Sequence, residues 1–192
     1  MRPLAVLAGL TAWLAATAAI ADPSATFANF QRLCLTPHAH AAVVLAQADS
    51  EGWTPGPAAM ATAPPFKDMT EFGVRARSDA AVQTILIAGS GPIGEFAGVK
   101  VSADICLLAA KGVDGAAIAA EVGAWVGVPP DSKRTRAGDI TYSFTEDARG
   151  RLALISPTDD EAKALVRAGK AHLMTVQFTD DHAMVGYFTP RL

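Results

Sequence analysis

Two cysteines, four histidines and one carboxylate inside an apolar run are the residues of this chain whose types can do chemistry. The run is Val99 to Leu108, the longest β-branched and apolar stretch, and it holds both Asp104 and Cys106. The other cysteine, Cys34, lies far upstream. A thiol pair can act as a redox couple, hold zinc or staple a fold. The first wants C-x-x-C and the second wants four ligands at short characteristic intervals, and the chain has neither pattern. What remains is a structural disulfide between Cys34 and Cys106, with burial as two free thiols as the competing reading.

His38-Ala39-His40 is the nucleus of any metal reading. Residues two apart on a helix point to nearly opposite sides, so these imidazoles can share an ion only from an extended segment. Pro37 and the flanking alanines argue for helix instead, so both are expected to be exposed and neither is assigned to a metal. His172 and His182 lie on and beside a C-terminal hairpin and read as solvated edge residues. Asp104 shares a strand face with Lys100, an acid and its partner; a polar strand face at the solvent or under a loop accounts for the same residues.

Other motifs carry less. Gly89 to Gly94 spells G-x-G-x-x-G, the dinucleotide fingerprint, but Pro92 and the return to strand by Val99 leave no room for the helix that must meet a pyrophosphate. The stretch is expected to be a plain turn. Nucleophile elbows, H-E-x-x-H, P-loops and Ser-x-x-Lys are absent. Lys133-Arg134-Thr135-Arg136, flanked by Asp131 and Asp139, reads as a solvated basic turn. No catalytic residue, cofactor or metal ligand is assigned.

The elements that must position these residues follow from an N-terminal address. Met1-Arg2, an uncharged run from Pro3 to Ile20 and Ala19-Ile20-Ala21 before Asp22 make residues 1–21 a secretory signal peptide, too short and too rich in Ala and Thr for a membrane span. Residues 22–192 then suit a single domain. A net charge of −3 offers no basic face for nucleic acid.

Ser24 is expected to cap a first helix bearing Phe27, Phe30, Leu33 and Cys34, and Thr36-Pro37 to start a second over residues 37–50, closed by Gly52-Trp53. Residues 54–65 are too rich in proline for helix or central strand and form a surface loop. Strands follow at 72–77 and 82–88, then Val99–Leu108 as the central strand. In it Val99, Val101, Ala103, Ile105 and Leu107 make one core face; Lys100, Ser102, Asp104 and Cys106 make the other, which starts wet. Asp114 caps a helix with Ile118, Val122 and Trp125 that Gly127 ends. Residues 139–145 and 151–155 form a hairpin, Thr158 to Glu161 a capping box, and 172–178 with 183–188 a last hairpin pairing Val176 with Val185 and Met174 with Tyr187. The fold class is α+β: a mainly antiparallel sheet of about six strands, helices packed on one side, and an N-terminal helical segment stapled to the sheet.

The Phe27, Phe30 and Cys34 helix soon after a signal peptide, the following Gly52-Trp53 and a second cysteine in a mid-chain strand resemble small exported proteins of alphaproteobacteria for which no activity is known. The resemblance covers residues 22–53 and 99–108. It implies a periplasmic or secreted location and a helix-to-sheet disulfide, and it brings across no catalytic residue. The expected function is a non-catalytic binding or envelope accessory domain whose partner is an unidentified protein or small molecule. The alternative is a small exported hydrolase using Asp104 with His172 or His182. Mass spectrometry of the exported protein should find a chain beginning at Asp22; a retained Met1 in the membrane fraction would overturn the compartment and weaken the case for the disulfide.

Overall fold

The computed structural model describes residues 23–62, 66–79, 82–96, 99–148, 150–155 and 157–192. Residues 1–21, expected to be a signal peptide, and part of the expected 54–65 loop lie outside them. Helix α1 (Pro23–Phe30) continues into a π-helical turn (Gln31–Leu35), followed by α2 (Ala41–Ser50) and the two-residue strand β1 (Thr54–Pro55). Strands β2 (Thr70–Asp79), β3 (Val82–Phe96) and β4 (Val99–Lys111) lead to α3 (Gly115–Val126), and β5 (Asp139–Asp147) and β6 (Gly150–Ala153) to α4 (Asp159–Arg167). Strands β7 (Ala171–Phe178) and β8 (His182–Arg191) complete the chain.

The architecture is α+β, with one antiparallel sheet of eight strands in the order β1-β2-β3-β4-β8-β7-β5-β6. It is larger than the expected six. One addition is β1, which pairs Thr54 with Ala76 at the edge, where proline need not donate. The other seven correspond to the strands named from the sequence, and the pairing of β4 with β8, a long-range contact, carries the second half of the sheet onto the first. The β7–β8 register is the expected one, with Val176 opposite Val185 and Met174 opposite Tyr187.

Strand β4 is buried on both sides, which explains why it reads as a near-continuous apolar run. Cys106, Leu108 and Ala110 meet Leu86, Ala88, Val185 and Tyr187 in the main core, under α1, α2 and α3. On the second face, Val101 packs with Ala162 and Val166 of α4 and with Ala171. Helices therefore lie on both faces, a correction to the expected single layer. Helix α4 is strongly amphipathic, and its short apolar side finds cover on the face the other helices leave open. Its Thr158–Glu161 capping box forms as expected, the Glu161 carboxylate accepting from Thr158 N at 2.8 Å.

Three local expectations are corrected. Gly89 to Gly94 is not a turn but part of β3, where Ser90 pairs with Asp104 and a bulge falls between Pro92 and Gly94. A Cβ at Gly89 would stand 3.1 Å from Phe72, and one at Gly91 3.1 Å from the Met69 backbone, so the glycines let β2 cross closely. Ser24 lies inside α1 and donates to Glu121 of α3 at 2.7 Å rather than capping. The second helix starts at Ala41, not at residue 37, because His38 and Ala39 adopt left-handed φ of 51° and 61°.

Cys34 and Cys106 are joined, their Cα atoms 5.4 Å apart and both residues wholly buried. The bond closes a separation of 72 residues, worth about 4 kcal/mol of unfolded-state entropy on loop-closure grounds. Urea unfolding with and without a thiol reductant should therefore differ by about 4 kcal/mol, a large share of an ordinary domain's stability. Equal stabilities, or two titratable thiols in denatured, unreduced protein, would rule the bond out as a structural staple.

Candidate functional site

Above the disulfide, at the end of the sheet where β4 starts, polar residues from adjacent strands form a row on the face that α1, α2 and α3 cover. Strand pairing sets Ser90 of β3 beside Asp104 of β4, and Asp104 beside Thr189 of β8. His172 of β7 follows, one residue beyond the last paired position, Leu173 with Phe188. The turn at residues 36–40 caps the row. Thr189 Oγ1 donates to the His38 carbonyl at 3.3 Å, and His40 Nδ1 lies 3.3 Å from Asp104 Oδ2.

Asp104 is buried, only 6% exposed, so its face does not start wet. A buried carboxylate needs partners for its charge and its lone pairs. Three groups supply them: the Ser90 hydroxyl donates to Oδ1, Arg191 Nη1 lies 3.2 Å from the same oxygen, and His40 takes Oδ2. Arg191, not Lys100, provides the cation. Ser90, Thr189 and Arg191 had no sequence signal, since only the long-range β4–β8 pairing brings the last two to Asp104.

His172 is 4% exposed, not a solvated edge residue. Its ring shares a 2.8 Å hydrogen bond with the Tyr187 hydroxyl through Nδ1, stacks on Tyr187 and tilts against Phe144. Burial pushes the imidazole down to about 4; Glu146 opposes that shift, while the charges of His38 and Arg151 reinforce it. The same burial pushes the Tyr187 phenol up to about 12. Both groups are neutral near pH 7.

The residues that might pair with Asp104 are thus distributed. His172 lies in its row but two strands away, roughly 10 Å by strand spacing, and is bound to Tyr187. His182 pairs with Lys111, seven positions along β4 and roughly 24 Å distant, and its ring meets Asp181 and Thr179 at 2.8 Å. His38 and His40 are exposed, as expected, although on a left-handed turn rather than a helix. Among the described residues no group of three or more His, Cys, Asp or Glu is placed to hold a metal. Ser90 donates to a carboxylate rather than to an imidazole, unlike the serine of a serine–histidine pair. What the row does is hold the 36–40 turn against the sheet.

Concavities lie elsewhere among the described residues. One, of 360 Å³, sits at the sheet edge beside the basic turn, where Asp131 accepts from Ser143 at 3.0 Å and Arg136 donates to the Lys133 and Thr135 carbonyls. Another is a groove of 790 Å³ on the second face, at the β7–β8 turn. Register lines Ile85, Ala109 and Met184 across its floor, and Phe178, Lys111 and His182 border it. Helix α4 covers the far end of that face, and Met60 and Phe66 pack over its β2–β3 side. No protein-family model matches the chain, and no curated protein or solved structure matches it either.

The His172 shift has a signed consequence. Its folded value, about 4, lies below the ordinary 6.5, so between those limits the unfolded chain binds more protons and folding weakens as the pH falls. The contribution is full above pH 6.5 and shrinks towards pH 4, by at most about 3 kcal/mol. Urea melts at pH 7 and pH 4.5 should show a smaller loss for His172→Gln than for the wild type. Parallel losses would mean that other groups carry the acid sensitivity.

Proposed function

We propose that this chain is an exported periplasmic or secreted domain that binds a ligand without catalysing a reaction, and that the groove floored by Ile85, Ala109 and Met184 is its binding surface. The observation that carries the reading is the division of labour between the faces. On one, the chemistry-bearing residues Ser90, Asp104, His172 and Tyr187 are paired with one another or with the 36–40 turn. On the other, a partly exposed apolar floor with Lys111 at its border lies in a concavity of 790 Å³, a size suited to a small molecule. Met184 adds an adaptable, polarisable contact. The location rests on the signal-like residues 1–21 and agrees with the disulfide and with the finding that no described helix is long and apolar enough to cross a membrane.

The hydrolase alternative needs Asp104 to meet His172 or His182, and the distribution of those residues gives it no support. An apolar anion with an aromatic body, 8-anilinonaphthalene-1-sulfonate, is a suitable probe for a floor of this composition beside a lysine. Its fluorescence should rise saturably with native protein, and Met184→Glu, which sets a charge on the floor, should weaken binding by about tenfold at unchanged melting temperature. No saturable signal, or equal affinity in the variant, would place the ligand surface elsewhere.

A further inference from the structure

The 36–40 turn combines a strained backbone with an attachment to the sheet made through side chains. Two consecutive residues with side chains, His38 and Ala39, hold left-handed φ of 51° and 61°, a backbone that persists only where its surroundings enforce it. The bonds Ala39 N to Cys34 O (2.9 Å), His38 N to Leu35 O (3.0 Å) and His40 N to Pro37 O (3.1 Å) are internal to the segment. Its polar contacts with the sheet are the Thr189 to His38 hydrogen bond and the His40–Asp104 pair, each 3.3 Å, and both come from side chains. The buried Ala39 and the Cys34–Cys106 bond supply the apolar and covalent attachment.

His172 lies in the row this turn caps. It touches Tyr187 from β8 and Phe144 from β5, the β7–β8 register sets it beside Thr189, whose hydroxyl holds the His38 carbonyl, and the charges of Glu146 on β5, Arg151 on β6 and His38 on the turn act on it. Glu146 is the one opposite charge in that set, and it is already paired with Arg151 at 3.5 Å. A proton arriving on His172 therefore creates a poorly solvated cation that the charges of Arg151 and His38 oppose, while the carboxylate that favours it, Glu146, is engaged by Arg151. Strands β5, β7 and β8 are tied into the sheet ladder and cannot yield locally. The strained turn can.

We propose that residues 36–40 are an acid-operated latch: protonation of His172 lifts the turn from the end of the sheet, while the Cys34–Cys106 bond keeps the N-terminal segment attached. The row beneath is then opened to water without loss of the fold. The His40–Asp104 pair, at 3.3 Å, is one of the two side-chain contacts that release must break, so it holds the latch closed.

Hydrogen exchange of the disulfide-intact chain from pH 7 to pH 4, corrected for the intrinsic pH dependence of exchange, tests this. The amides of His38, Ala39 and His40 should lose protection by about tenfold or more while those of β4 stay protected. His172→Phe should keep the turn protected throughout, and His40→Ala should move its release to higher pH. If the phenylalanine variant does not fold, His172→Gln serves, with the same expectation. Global stability should also fall by less than full burial of His172 demands, since opening lets the imidazole take its proton in the folded state. Turn protection that holds down to pH 4, that is lost together with β4, or that is lost equally in the His172 variants overturns the latch.

Discussion

The covalent bond between Cys34 and Cys106 is the constraint on which the face beneath α1, α2 and α3 depends. It joins the π-helical turn after α1 to the middle of an interior strand, and both sulfurs belong to residues with no exposure. Phe27, Phe30 and Leu33 are thereby held over the sheet, with Phe27 meeting Trp125 of α3 edge-on at 6.3 Å. Helices α1 and α2 are short, eight and ten residues, and helices of that length gain little from propensity alone. Their order comes from packing, and the bond removes much of the entropy that packing would otherwise have to overcome.

The same attachment explains why a carboxylate can stand in the interior. Two residues along β4 from the disulfide, Asp104 meets the turn that follows Cys34, and His40 reaches one oxygen while Ser90 and Arg191 take the other. A buried charge with one partner missing would be strongly unfavourable, so the arrangement makes the position of the turn specific as well as tight. Across Thr189, His172 and Tyr187 satisfy each other in a second buried polar contact. At this end of the sheet Ser90, Asp104, His172 and Tyr187 are thus each engaged by a neighbouring side chain.

The second face follows a different rule. Helix α4 and the residues around Met60 and Phe66 each cover part of it, and between them the row Ile85, Ala109 and Met184 remains partly exposed. Gly115 contributes by close approach, since a Cβ there would fall 2.4 Å from the Thr179 carbonyl, which lets α3 begin hard against the β7–β8 turn that borders the groove. An exposed apolar stretch inside a concavity is the kind of surface that soluble domains keep for contacts.

Much of the fold was legible in the residues because it is local or periodic. The strand over Val99 to Leu108, the caps at Asp114 and Thr158, the Gly127 stop and the β7–β8 register are written in short-range spacing, and all appear in the structure, although both faces of that strand are covered. The disulfide was legible as well, because an even pair of cysteines in a chain with a signal-like start has few alternatives. The candidate site was not. Thr189 and Arg191 reach Asp104 only through the pairing of β4 with β8, and no spacing within either strand encodes which strands become neighbours. The left-handed turn at His38 and Ala39 contradicts the local preference of both residues, which is why a helix was expected there. Sequence alone determined the elements and their caps, since those depend on contacts within a few residues; tertiary structure decided which faces were covered, which histidine was buried and where Asp104 found its partners, since those depend on contacts between distant segments.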